Sequence, residues 1–336
     1  KGMTGMSFTG VNGDMTLDEN GDAIKSIAIN TYVDGAVKWT ETLGSDGKVV
    51  SKTHSTELIP VDPHRIDTQM ERDFYEDYQA VQVFTTQEVG ELKVDMRTRD
   101  AYKGMCDYVN LVHTLCLGCA PARISIAAPL TYDGFVKGGT LIYKDLFTIY
   151  PFENQLYVIT MTGQEIKDYL EASYNRWIVT ATKPTDHVLN IVQKDDPRTG
   201  QKGWSFIERA YNFDSAAGII YTVDVTKPSG RKVTILSMAD GTPFDMNKMY
   251  TVALNSYRGN GGGELLTKGA GIPQDELKER IVSSTDKDLR YYLMQYIEGK
   301  KVIEPRALGQ WKFVPEEWAV PASKRDYEFL FGKVQE

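Results

Sequence analysis

The chain has 336 residues, 41% of them hydrophobic and 25% charged, which is the composition of a soluble globular protein with a substantial core. With 46 acidic against 38 basic residues the formal charge is −8, and no long Lys/Arg cluster interrupts it. A nucleic-acid polymer is therefore excluded as partner, because phosphate contacts need concentrated positive charge. No run of 18 apolar residues offers a membrane span.

Residues 1–60 are rich in Gly and Thr with alternating apolar positions, as in Ala23–Ile29 and the Val49 to Ile59 run, separated by Asn-Gly and Asp-Gly turns. This is β-hairpin material. The chain begins at Lys1-Gly2-Met3, which reads as an interior start with no signal peptide. From Asp67 to about Val83 the pattern changes: Met70, Phe74, Tyr78 and Val81 recur at spacings of three and four, which predicts an amphipathic connecting helix within a 61–87 linker.

Beyond residue 88 short strands and helices alternate. A strand over Glu91–Met96 precedes a helix near Lys103–Leu117 and an apolar strand over Arg123–Ala128. A strand over Gln155–Met161 runs into Thr162-Gly163-Gln164-Glu165, a capping box in which hydroxyl and carboxylate each satisfy a free backbone donor at a helix start. That helix carries Ile166, Tyr169, Leu170, Tyr174 and Trp177 on one face. Strands follow over Gly218–Val225, Lys232–Leu236 and Met249–Asn255, then a helix after Thr285 bearing Leu289, Leu293, Tyr296 and Ile297 and stopping at Gly299. The charged end, 323–336, is expected either to cover the domain edge or to be partly mobile. Strand pairs mixed with single helices predict an α+β fold, a mixed sheet flanked by helices, with a β-hairpin remnant and connecting helix in front.

Few residues suggest chemistry of their own. His54, His64, His113 and His187 are scattered and none has metal-ligand spacing. Cys116 and Cys119 form a C-x-x-C without a preceding strand or a second pair, and with Cys106 they read as buried structural thiols. No G-x-S-x-G elbow exists, so no catalytic residue is assigned. The segment Gly259-Asn260-Gly261-Gly262-Gly263-Glu264 follows a strand, but Glu264 replaces the last glycine of a dinucleotide fingerprint. Such a loop makes a tight turn or lets backbone approach a ligand. Tyr257 precedes it and Tyr211 lies in another segment; two aromatic faces about 7 Å apart can sandwich a planar base.

These segments resemble the C-terminal domain of the 5′-nucleotidase family, and more narrowly its 2′,3′-cyclic-nucleotide 2′-phosphodiesterase/3′-nucleotidase branch. The resemblance runs from about Thr98 to Pro315, through Ile124–Leu130, Asp145–Pro151, Met161–Glu171, Tyr211-Asn212-Phe213-Asp214 and Asn255-Ser256-Tyr257-Arg258. It implies a substrate-binding domain over 88–322 that clamps a nucleoside or nucleotide between Tyr211 and Tyr257, with Phe213, Asn255, Arg258, Gly261 and Gly262 shaping the pocket. It further implies that 1–60 are the last strands of a metallophosphoesterase domain whose two divalent metal ions and ligands precede Lys1. That domain would carry out phosphoester hydrolysis, and the location would be periplasmic or secreted. Gly263 stands where 5′-nucleotidases have a ribose-binding aspartate, and Ala127-Ala128-Pro129-Leu130 replaces their phosphate-binding arginine segment. Both departures favour the cyclic-phosphodiesterase branch. The alternative is a non-catalytic binding or interaction module whose pocket has drifted.

Overall fold

The computed structural model describes strand backbones within 7–53 and, with side chains, residues 48–51, 67–195 and 200–332. The chain divides into two compact units, Lys1–Glu76 and Asp77–Glu336, with the boundary inside the helix Thr68–Thr85. In the first unit the predicted hairpins form two three-stranded antiparallel sheets: Ser7–Gly10, Gly13–Leu17 and Ala23–Ile24, then Ile27–Val33, Ala36–Leu43 and Val49–Thr53. The rest of the predicted strand region, residues 54–59 with His54, lies outside the described residues, as does His64. The helix Thr68–Thr85 has the expected period but buries none of its side chains.

The second unit is built on a five-stranded mixed sheet. Its order is Ser215–Ala217, Ile124–Ala127, Met249–Asn255, Gln155–Thr162 and Ile281–Asp288. Met249–Asn255 runs parallel to Ile124–Ala127, and every other pairing is antiparallel. Because side chains alternate along a strand, each strand feeds two cores. Val252 and Leu254 pack with the helix Gly163–Trp177 on one face, while Ala253 and Leu156 pack with the helices Asp107–Cys119 and Leu289–Lys300 on the other. This is the α+β architecture with a mixed sheet between helices that the element pattern predicts.

The capping box forms as expected: Glu165 N–H donates to Thr162 Oγ1 at 3.1 Å, and Thr162 N–H donates to the Glu165 carboxylate at 2.7 Å. It fixes the angle at which the chain leaves the sheet, and the following helix buries Ile166, Tyr169, Leu170, Tyr174 and Trp177. One element differs from expectation. Residues 281–288, whose second half reads as a helix start, form an edge strand, and the helix begins only at Leu289. The polar residues Ser283, Ser284 and Thr285 alternate on an exposed edge rather than cap a helix; Thr285 Oγ1 instead accepts from Leu156 N–H at 3.0 Å. Asp288 is the actual cap, accepting from Tyr291 N–H at 3.0 Å.

The C-terminal segment is a full helix, Glu316–Phe331, that buries Ala319, Ala322, Ser323, Asp326 and Tyr327. Asp326 accepts the N–H groups of Val188 and Leu189 at 2.7 and 2.9 Å and pairs with His187 Nδ1 at 2.6 Å. The helix Glu316–Phe331 is thus pinned to the domain by a buried carboxylate.

Candidate functional site

Asn255 ends the central strand, and its side chain accepts the N–H of Arg258 at 2.9 Å, capping a one-turn helix, Ser256–Gly259. Successive helical residues point about 100° apart, so this cap sends Tyr257 and Arg258 in different directions. Tyr257 is 44% exposed and Arg258 only 3%. The second half of the site is the single turn Ala210–Asn212, which leaves Tyr211 half-buried and directs Phe213 and Asp214 inward.

Tyr211, Tyr257, Asn255 and Arg258 line one cleft of about 290 Å³, together with Leu130, Phe152 and Asn154. The two tyrosine rings stand 6.5 Å apart, but their planes are 83° apart, so they meet edge to face rather than as parallel plates. Burial raises the pKa of the Tyr150 phenol, opposed in part by the side chains of Asn154 and Asn255. The lining is otherwise apolar, and its one charged side chain is Arg258.

That charge is turned away from any ligand. Arg258 Nε and Nη2 donate to the two oxygens of Asp214 at 2.9 and 2.8 Å. Nη2 also donates to the Tyr211 carbonyl at 2.6 Å, and Nη1 to Asn212 Oδ1 and the Gly262 carbonyl at 3.0 and 2.9 Å. All five N–H groups of the guanidinium are used. Burial opposes its charge, but Asp214 and the phenol of Tyr169 outweigh burial and raise its pKa. Tyr169 donates its own O–H to Asp214, and burial followed by that carboxylate pushes the phenol well above its ordinary value.

The helix Gly163–Trp177 backs this arrangement with one face. Tyr169 meets Asp214, Ser173 Oγ donates to the Asp214 carbonyl at 2.8 Å, and Arg176 Nη1 donates to the Gly263 carbonyl at 2.7 Å. The spacing of four and three along the helix brings all three to the same side.

Of the residues expected in the pocket, three stand elsewhere. Phe213 is fully buried and stacks on Trp177 with centroids 5.7 Å apart and planes 3° apart, so it belongs to the core and not to the cleft. The reason is the tight turn: with Tyr211 outward, the side chain two residues on is directed into the domain. Gly261 and Gly262 are not among the residues lining the cleft, though their loop supports the Tyr257 ring. A Cβ on Gly262 would come within 2.5 Å of the Tyr257 ring, so the bare backbone there is what lets the ring lie against the loop. Glu264 is exposed and paired with Lys268 at 2.8 Å.

The sequence reading missed Phe152 and Asn154, which sit in the loop after Tyr150, and the roles of Tyr169 and Asp214. The available signals were an aromatic beside a proline, Pro151-Phe152, and the acid that closes the Tyr211-Asn212-Phe213-Asp214 segment. Among the described residues no group of three or more His, Cys, Asp or Glu side chains is placed to hold a metal ion. The cysteines are free, and burial pushes the Cys116 thiol up to about 12, far from a reactive thiolate.

The chain is 28% identical over 209 residues to the trifunctional nucleotide phosphoesterase protein YfkN of Bacillus subtilis, covering 58% of this chain and 13% of that protein. It is 28% identical over 200 residues to the 2′,3′-cyclic-nucleotide 2′-phosphodiesterase/3′-nucleotidase of Haemophilus influenzae, covering 54% of this chain and 26% of that one. The chain thus spans about a quarter or less of the length of these relatives. A 5′-nucleotidase precursor from Thermus thermophilus has the same fold, with a TM-score of 0.52 at 18% identity over 90% of this chain and 54% of its own. The 5′-nucleotidase C-terminal domain family matches residues 88–268, more than half of the chain, and the protein belongs to that family.

Proposed function

We propose that the domain binds the nucleoside part of a nucleotide in the Tyr211–Tyr257 cleft and presents its phosphate to a metal-dependent phosphoesterase domain preceding it in the parent protein. The observation that carries this reading is the pair of aromatic rings, delivered by two separate segments to one open, nearly uncharged cleft, 6.5 Å apart. A planar base needs two faces about 7 Å apart. The spacing is nearly there, and rotation of one ring by about a quarter turn makes the faces parallel. Rotation of exposed side chains is fast.

The open cleft also favours this reading over a drifted pocket whose aromatics serve only packing, since Tyr257 is among the exposed aromatics of the domain. Relatives named as 2′,3′-cyclic-nucleotide 2′-phosphodiesterase/3′-nucleotidases support cyclic and 3′-nucleotides as the substrate class. Two divalent metal ions in the preceding domain, with 1–60 as its last strands, and a periplasmic or secreted location belong to the same proposal. No described helix is long and apolar enough to cross a membrane.

Two stacking faces contribute roughly 2–6 kcal/mol, which corresponds to dissociation constants from about tens of millimolar to tens of micromolar. Titration of the chain with adenosine, followed by tyrosine fluorescence, is expected to show saturable binding in this range. Absence of any saturable signal up to roughly tens of millimolar, or a Tyr257→Ala variant that binds equally well, overturns the reading.

A further inference from the structure

Arg258 touches more of the cleft wall than any ligand-facing role requires. Its guanidinium joins segments 44–47 residues apart: the Tyr211 carbonyl, the Asn212 side chain and the Asp214 carboxylate on one side, and its own loop through the Gly262 carbonyl on the other. Its carbon lies 5.3 Å from the centre of the Tyr257 ring. With every N–H already donating, it cannot take a ligand phosphate without breaking bonds that hold Tyr211.

The neighbouring glycine makes this possible. Gly263 adopts φ +72°, a conformation in which other residues are strained, and a Cβ there would lie 2.2 Å from Arg258 Nη1 and 2.5 Å from Asn212 Oδ1. The space that a side chain at 263 would take is filled by the Arg258 guanidinium and its partner. A side chain at 263 and a buried arginine at 258 therefore exclude each other.

Resting on the nucleoside-binding reading, we infer that Arg258 is a positioning residue that sets the spacing of Tyr211 and Tyr257, and that Gly263 is its obligatory partner. The fork geometry of a guanidinium matters here, because it ties a carboxylate, an amide oxygen and two carbonyls at fixed angles, which a lysine with its single ammonium does not. The same pair decides what the cleft accepts. With 263 bare and Arg258 neutralised by Asp214, no carboxylate faces the ligand among the lining residues, so a nucleoside carrying a phosphate on its 2′ or 3′ edge meets no like charge there.

The test uses the full chain and the variants Arg258→Lys, Gly263→Ala and their combination. Adenosine and 2′,3′-cyclic AMP are titrated by tyrosine fluorescence, and nuclear Overhauser effects between the Tyr211 and Tyr257 rings are recorded. Each single variant is expected to weaken both ligands at least tenfold and to lose the ring-to-ring effects while the rest of the amide spectrum is retained. The double variant is expected to be no worse than the weaker-binding single one, since both act through one contact. Ring-to-ring effects that persist in the variants, unchanged affinity, or losses that simply add overturn the inference. If Arg258→Lys does not fold, Gly263→Ala, which keeps the arginine, decides by the same readouts. Should wild-type chain bind neither ligand, the nucleoside-binding reading fails, and the ring-to-ring effects alone decide whether Arg258 sets the spacing.

Discussion

The edge of one tyrosine ring faces the plane of the other across the cleft: Tyr211 and Tyr257 are 6.5 Å apart at 83°. Edge-to-face contacts of this kind are favourable by about 0.5–1.5 kcal/mol beyond the area they bury, so the two rings hold each other in place across the cleft until a ligand takes over that contact. Binding a base exchanges this contact for two stacked faces. Tyr257→Phe keeps the face and is expected to bind adenosine within about threefold of wild type. Tyr257→Ala loses one face, about 1–3 kcal/mol, or roughly 5–150-fold in Kd by fluorescence titration. Equal losses in the two variants would locate the effect in the hydroxyl and not in the ring.

Phe213 separates site from scaffold. Its ring is buried between Trp177, at 5.7 Å, and Phe206, at 5.0 Å. Phe213→Ala is expected to destabilise the domain by about 3–5 kcal/mol, seen as an earlier midpoint in urea. Phe213→Leu is expected to recover much of that stability and to leave ligand affinity unchanged. A selective loss of affinity in Phe213→Leu would restore Phe213 to the site.

How far the sequence discloses this protein depends on the range over which each feature is encoded. The helix Gly163–Trp177 is legible because its cap and its apolar face are local patterns, and both are found as read. Tyr211 and Tyr257 are legible as a pair through the resemblance of their flanking segments. The Arg258–Asp214 pair is not: the partners are 44 residues apart, and nothing local distinguishes an arginine that binds phosphate from one whose donors are consumed internally. Residues 281–288 mislead for the opposite reason. Their polar alternation is local and real, but an exposed sheet edge and a helix start draw on the same Ser, Thr and Asp.

Asn255 is expected to matter through the helix it caps. Asn255→Asp retains an acceptor for the Arg258 N–H, so the turn that presents Tyr257 should persist. Asn255→Ala removes it at a cost of about 0.5–2 kcal/mol. Thermal melts are expected to rank wild type and Asp close together with Ala below. The prediction fails if Asp and Ala are equally destabilised, which would mean that the amide N–H groups, and not the cap, carry the contribution of Asn255.

His113 sets an acid limit on stability. It lies fully inside the domain, with Nδ1 3.1 Å from Ser125 Oγ and Nε2 3.3 Å from Ser215 Oγ, so it holds the short strand Ser215–Ala217 against the helix Asp107–Cys119. Burial lowers its pKa to about 4, opposed in part by Asp214. In the unfolded chain an imidazole titrates near 6.5. The folded value is the lower one, so the unfolded state takes up the proton first as pH falls. Stability is therefore complete above about pH 6.5 and declines towards pH 4, by on the order of 3 kcal/mol across that window. The carboxylates held below their ordinary range, such as Asp186 by hydrogen bonds from Thr182 and Asp240 by those from Thr242, lose their charge only at lower pH. Urea midpoints measured from pH 7.5 to 4 are expected to fall steeply in wild type and much less in His113→Asn, which keeps hydrogen-bonding groups beside Ser125 and Ser215 but does not titrate. Parallel slopes in the two proteins would assign the acid sensitivity to another group.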